Sequence, residues 1–409
     1  MSESLSKHQR PWLTAGLFLA LMTYAVGLTA FGPVVGPLAE DLGVSEGAAG
    51  ALAAWMSSGF LLGTFLCGPL AGKSGLKRPA ILGVFLLAGG FALVGWSPSY
   101  SWAAAGMALF GLGGALCEIT TNAATADLYP EKHATALNLL HVSFGAAALL
   151  GPRLAGYFVV SGSGWRTIYL LAAGLALLPL PFYLRFPFPA HDSSSVGQKS
   201  APRPLWRESL FWTVVLAIFF YVGAELSLNN WSVLFLERER GWETMPASVA
   251  VSNFWLAMTV GRILTSFLVH RVQPEKLLIG LCLGGLLCTV TFVYWPDGKV
   301  FANLLLLGCG FFFSGIFATL LSTGVSAFPR QSAALSSAVM AAAGLAILLL
   351  APAVGYLADR VGIGAAMGLP VLYLGFLSGC VAWLVGSGRS RHQGDGKKAL
   401  GTLPGGFPG

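Results

Sequence analysis

Two glutamates, Glu118 and Glu225, lie near the middle of long apolar stretches. A carboxylate held in hydrocarbon is costly, and a chain that keeps one there uses it for an ion or solute path. Such a group can take a proton from one side of a membrane and release it to the other, which is the step an ion-coupled carrier needs. Four residues after Glu118, on the same helical face, is Asn122. Around Glu225, Tyr221 and Asn229 stand one turn to either side, so a phenol, a carboxyl and an amide share one stripe. Those groups can read a hydroxylated solute. The alternative for each acid is a neutral carboxyl that only holds neighbouring helices together.

Further polar groups are scattered through the apolar runs. Asn253, Asn138, Asn303, Ser314, Thr319, Ser322 and Thr323 are candidate ligands, or else hydrogen-bonding glue between helices. His141 is a residue type that titrates near neutral pH, but close to a helix end it serves gating or structure equally well. Trp231 reads either as a solute contact or as an interfacial ring. Trp55, Phe254 and Trp255 can stack on a sugar face or fill the core. Arg153 sits beside Pro152 inside an apolar run, where a cation needs an acid, an anionic solute or a route to the surface; an acidic partner is expected. Arg262 is expected to be structural.

These groups need elements that cross a bilayer. The chain has 409 residues, 55% hydrophobic and 10% charged, with a mean hydropathy of +0.72. Soluble domains carry roughly 25% charged residues, which excludes a soluble globular fold. A hydrocarbon core about 30 Å thick takes about 20 apolar residues per helix. Spans are expected near 11–38, 47–71, 79–96, 101–128, 133–160 and 165–186, then 209–236, 247–270, 276–295, 299–328, 332–358 and 364–386. On that basis Glu118 lies about 25 Å along the fourth helix.

The net charge of +7 is topological. With the N-terminus inside, only Arg166, Arg238, Arg240, Lys299 and Arg360 of the 24 Lys and Arg fall on external connections, and Arg153 and Arg262 fall within spans. That asymmetry places both termini in the cytoplasm and argues against nucleic-acid binding. The first apolar run is too long for a cleaved signal and reads as a retained helix. All six cysteines lie in apolar runs without a CxxC pair, so no disulfide, metal or redox role is expected.

Residues 1–186 are expected to form one six-helix bundle, 187–208 a Pro- and Ser-rich cytoplasmic linker, 209–386 a second bundle and 387–409 a disordered tail. The halves echo each other. Gly111, Gly113 and Gly114 precede Tyr129-Pro130, Ala136-Leu137, Gly145, Pro152 and Gly156-Tyr157. In the second half, Gly308 and Gly310 precede Phe328-Pro329, Ala334-Leu335, Gly344, Pro352 and Gly355-Tyr356. Two matching repeats describe bundles that face a central cavity and rock about it.

This pattern resembles the major facilitator superfamily over nearly the whole chain. The run from Gly68 through Gly75, Lys77 and Arg78 is similar to that superfamily's cytoplasmic signature Gly-x-Leu-Ala-Asp-Arg-x-Gly-Arg-Lys. Gly72 stands where the signature has Asp, so this loop lacks the carboxylate that the resemblance implies for a cytoplasmic latch. Gly151-Pro152-Arg153-Leu154-Ala155-Gly156 approximates a second signature, Gly-Pro-x-x-Gly-Gly, and Gly164-Trp165-Arg166 opens the sixth span as in relatives. Glu118-x-x-x-Asn122, Leu137-Asn138-Leu139 and Tyr221-Val222-Gly223-Ala224-Glu225 with Trp231 resemble the fucose permease group and its glucose-transporter-like relatives. The first helix offers Thr23, Tyr24 and Thr29 where the fucose permease type has an acid, so its coupling scheme does not carry over whole.

The resemblance implies an all-α membrane protein of 12 helices in two pseudo-symmetric six-helix bundles. It implies a monomeric secondary carrier that takes up a small polar solute such as a sugar with H+ (or Na+) as coupling ion. Glu118 and Glu225 would then couple protons. Asn122, Tyr221, Glu225, Asn229, Asn253, Asn138 and Trp231 would meet solute, and Gly68, Gly75, Lys77, Arg78 and Arg153 would gate. The alternative is a proton-driven exporter of drugs or lipophilic metabolites, favoured by the Gly-Pro-x-x-Ala-Gly run. A receptor or scaffold is disfavoured by the short connections. No P-loop, HExxH or GxSxG run occurs, so neither catalysis nor a cofactor is expected. Membrane lipid is the remaining partner.

Overall fold

A computed structural model describes residues 9–189, 205–268, 271–295, 298–328 and 331–400. The described residues are helical or in connections, with no strand among them, and contain 12 helices or helix pairs long and apolar enough to cross a membrane.

The first six crossings use α1 (Arg10–Thr29) with α2 (Phe31–Leu42), α3 (Glu46–Gly50) with α4 (Leu52–Ser74), α5 (Lys77–Gly95), α6 (Tyr100–Leu128), α7 (His133–Val160), and α8 (Arg166–Ala176) with α9 (Leu180–Arg185). The second six use α10 (Ser209–Arg240), α11 (Thr244–Leu268), α12 (Pro274–Tyr294), α13 (Lys299–Phe313) with α14 (Ile316–Ala327), α15 (Ser332–Val361), and α16 (Ile363–Ala366) with α17 (Gly368–Leu400). The end of the molecule where α1 begins is called the near end, and the opposite one the far end.

Most of the segment expected as a linker lies outside the described residues, except for a short 3-10 turn at Leu205–Arg207. Helix α17 runs on to Leu400 through residues expected to lack order, and 401–409 lie outside the described residues.

Lipid offers helices no hydrophobic drive to associate, so close backbone approach at small residues does the packing. The repeat legible in the sequence appears here as one crossing used twice. Gly111 of α6 lies so close to the Met56 carbonyl of α4 that a Cβ would overlap it. Gly310 of α13 meets the Phe254 carbonyl of α11 in the same way. Large apolar side chains such as Phe65, Trp96, Leu184, Phe267 and Leu287 are exposed, as a lipid-facing surface requires.

Three of the five helix pairs break well inside the crossing, at Ala30, at Leu177–Pro179 and at Ser314-Gly315. A helix end leaves its last carbonyls without partners inside the helix. At the third break, the Tyr221 hydroxyl donates to the Phe313 carbonyl at 3.1 Å. A broken helix inside hydrocarbon is tolerable when a neighbour satisfies the backbone in this way.

Candidate functional site

The two halves meet where α2 packs on α10 and along two longer seams. On one, α7 and α11 run antiparallel. Gly156 packs on Ser248, the Ser252 hydroxyl donates to the Leu149 carbonyl, Gly145 packs on Thr259, and His141 lies in the field of Arg262. On the other, the Ser57 hydroxyl of α4 donates to the Gly344 carbonyl of α15 at 2.7 Å, and Leu61 covers the same glycine. Toward the far end, the Trp231 ring lies on Gly50 and Gly355, with its indole N–H donated to the Ala351 carbonyl at 2.9 Å. Either glycine with a Cβ would push the ring out.

Glu118 is placed by α6. One turn earlier Gly114 abuts the Tyr24 ring of α1, and Ala115 faces Gly63 of α4. Glu118 therefore opens between α1 and α4, toward the interior of the bundle. It is partly accessible, and Tyr24 lies in its field. Its carboxyl makes no hydrogen bond or ion pair among the described residues. Asn122 folds back to donate to the main-chain carbonyl of Glu118 at 2.8 Å, so it is held on its own helix.

Glu225, 8% exposed, is placed by the middle of α10. Tyr221 stands one turn before it, and Arg262 of α11 faces both. The four residues Tyr221, Glu225, Arg262 and His141 thus come from α10, α11 and α7. Sequence reasoning assigned Arg262 a structural place, whereas the structure sets it against an acid. The signal was present: a cation inside a span needs an anion, and Glu225 is the mid-span acid of the adjacent crossing.

The expected stripe on α10 continues to Asn229, which is fully buried. Its carbonyl oxygen accepts the Trp255 indole N–H at 2.7 Å, and its amide donates to Asn230 at 2.8 Å. Trp255 meets Phe144 edge-on with centroids 6.3 Å apart, and Phe144 lies 6.4 Å from Tyr24. A continuous path of rings and hydrogen bonds therefore links the Glu118 side of one half to the Glu225 side of the other. Asn230, Leu28, Phe31, Met56, Met107 and Ile347 line a small void where the halves meet.

Arg153 has an amide where an acid was expected. Its guanidinium donates to Asn253 at 2.8 Å, and Asn253 donates to Asn303 at 3.1 Å. Asn138 is exposed toward the near end of α7, apart from the acids, and Trp231 is buried toward the far end. In the near-end loop Gly68 is open, Gly75 caps α4 with a φ of 71°, and Arg78 is exposed. Lys77 donates to the carbonyls of Leu184 at 3.3 Å and Phe186 at 3.2 Å, which ties the loop to its own half.

Comparison with known proteins agrees with this architecture. Residues 17–349 match the model of the Major Facilitator Superfamily, and the chain belongs to that superfamily. It is 23% identical to a TsgA homologue of Erwinia tasmaniensis over 79% of this chain and 84% of that one. It is 28% identical to the transporter YycB of Bacillus subtilis over 68% and 70%. Among solved structures, a bacterial homologue of the human lysosomal transporter Spinster, inward-facing and occupied, aligns with a TM-score of 0.78 at 16% identity, covering 94% of this chain and 98% of that one. The outward-facing fucose transporter FucP aligns with a TM-score of 0.63 at 19% identity, covering 90% and 98%. These likenesses concern the fold.

Proposed function

We propose that this membrane-spanning member of the superfamily takes up a small polar solute, a sugar in the first instance, together with protons, by alternating access. The near end faces the cytoplasm, in keeping with the Lys and Arg distribution. The observation that carries this reading is the carboxyl of the half-buried Glu118, which has no hydrogen-bond or ion-pair partner among the described residues and is joined through Tyr24, Phe144 and Trp255 to the buried polar stripe of α10. A protonated Glu118 is neutral and can be closed over in a dry seam; an ionised one favours the arrangement that leaves it wet. Solute held between the Trp255–Asn229 pair and Glu118 would touch both halves at once. Proton and solute then bias the same equilibrium, and each does so only through its differential affinity for the two states. A neighbour described as a fucose:proton symporter shares the fold, which is consistent with this chemistry.

The test is uptake into proteoliposomes of purified protein across a panel of labelled hexoses and deoxyhexoses, with and without an inward proton gradient. Gradient-driven accumulation is expected for the parent chain. With Glu118→Gln, counterflow exchange is expected to persist while accumulation falls to the no-gradient level. Accumulation by Glu118→Gln equal to that of the parent rules out the coupling role. The exporter reading draws on the apolar void and on Gly151, which abuts Thr29 and the Val26 carbonyl at the first-span break. It requires instead that expression lower cellular dye content in a gradient-dependent way.

A further inference from the structure

An eight-residue pattern, Gly-x-Leu-Ala-x-[Lys/Arg]-x-Gly, occurs twice in the chain: Gly68–Gly75 and Gly355–Gly362. Both copies end a helix in the same way. Gly75 closes α4 with φ 71° and donates its N–H to the Ala71 carbonyl. Gly362 closes α15 with φ 86° and donates to the Ala358 carbonyl. The two lie at opposite ends of the molecule, because α4 finishes at the near end and α15 at the far end. They differ at the fifth position, which is Gly72 in the first copy and Asp359 in the second.

Of the four positions at which the copies differ, position five puts an acid where the halves touch. The Asp359 carboxylate accepts the Ser45 hydroxyl at 2.6 Å and the Gly47 backbone N–H at 2.9 Å, both from the other half. Beside it, Arg238 of α10 forms an ion pair with Glu46 at 2.6 Å. Gly47 approaches Gly355 and Asp359 so closely that a Cβ would overlap them, and the Trp231 ring fills the next layer inward. Opening the far end must break the bonds to Asp359. Gly72 has no side chain with which to hold the near end in an equivalent way.

We propose that Asp359, with Ser45 and Gly47, is a far-end latch, and that the asymmetry between Asp359 and Gly72 biases the carrier toward the state closed at the far end. The latch acts on the resting equilibrium and is independent of which solute is carried. Hydrogen bonds to a charged acceptor are strong enough that losing the carboxylate shifts a two-state population by roughly tenfold or more.

The experiment uses the full chain in lipid nanodiscs, with the six native cysteines replaced and spin labels at Ser161→Cys and Glu243→Cys, exposed far-end positions on the two halves. Distances are read by double electron–electron resonance without solute. Asp359→Asn is expected to move the far-end distribution to longer distances, about tenfold in the ratio of open to closed. Asp41→Asn removes a far-end carboxylate that pairs with Arg166 inside one half, and should leave the distribution as in the parent. A distribution for Asp359→Asn that superimposes on the parent overturns the proposal, and so does an equal shift in both variants. If Asp359→Asn fails to purify as a folded species, Ser45→Ala replaces it. A smaller shift in the same direction supports the latch, and no shift overturns it.

Discussion

The Trp255 indole N–H is 2.7 Å from the Asn229 carbonyl oxygen, deep between α10 and α11. Asn229 is completely buried, so its oxygen has no water to fall back on. Trp255 also carries the ring contact to Phe144 of the other half. One side chain thus orders the polar stripe and bridges the seam.

Trp255→Phe should keep the ring contact and remove the donor. A hydrogen bond between membrane helices contributes about 0.6–2 kcal/mol, and thermal unfolding in detergent should report a loss of that order. If Asn229 reads solute, the apparent KM rises while the maximal rate with saturating solute changes little. Initial-rate uptake across a concentration series separates the two effects.

Glu225 and Arg262 give a second outcome. Arg262 faces the buried Glu225 without closing an ion pair among the described residues. Removing the cation alone should cost less than the roughly 3–5 kcal/mol of a closed buried pair, whereas replacing both by apolar groups is often neutral. Arg262→Met alone should therefore destabilise more than Glu225→Leu with Arg262→Met. Thermal unfolding of the two singles and the double closes the cycle. Additive losses would mean that the pair is not coupled.

Gly355→Ala tests the far-end seal. The added methyl collides with the Trp231 ring, and overpacking of this kind costs about 1–3 kcal/mol. Stability should fall, and Trp231→Leu in the same chain should restore part of it by vacating the space. Chemical denaturation of the three variants measures the difference.

The crossings were readable because bilayer thickness dictates the length of an apolar run, whatever the fold around it. The repeat was readable for a related reason: Gly111 and Gly310 are required where two backbones cross, and a glycine requirement shows in sequence. What joins which side chain to which was not. Arg262 is one of two cations within the spans, but its facing Glu225 depends on how α10 and α11 are rotated about their axes. Several apolar patterns permit that rotation equally, since these helices are hydrophobic around most of their circumference. Arg153 shows the same gap: its apolar setting called for an acid, and the tertiary packing supplied Asn253. The twofold Gly-x-Leu-Ala-x-[Lys/Arg]-x-Gly pattern was legible as letters. Only the contact between Asp359 and Ser45 gave the departure at Gly72 a physical sense.

Lys77 clamps the start of α5 to the last carbonyls of α9, so the chain leaves the first bundle from a point fixed to that body. Neutralising Lys77 should therefore release the end of α9 from α5 while leaving the contacts to the other half in place.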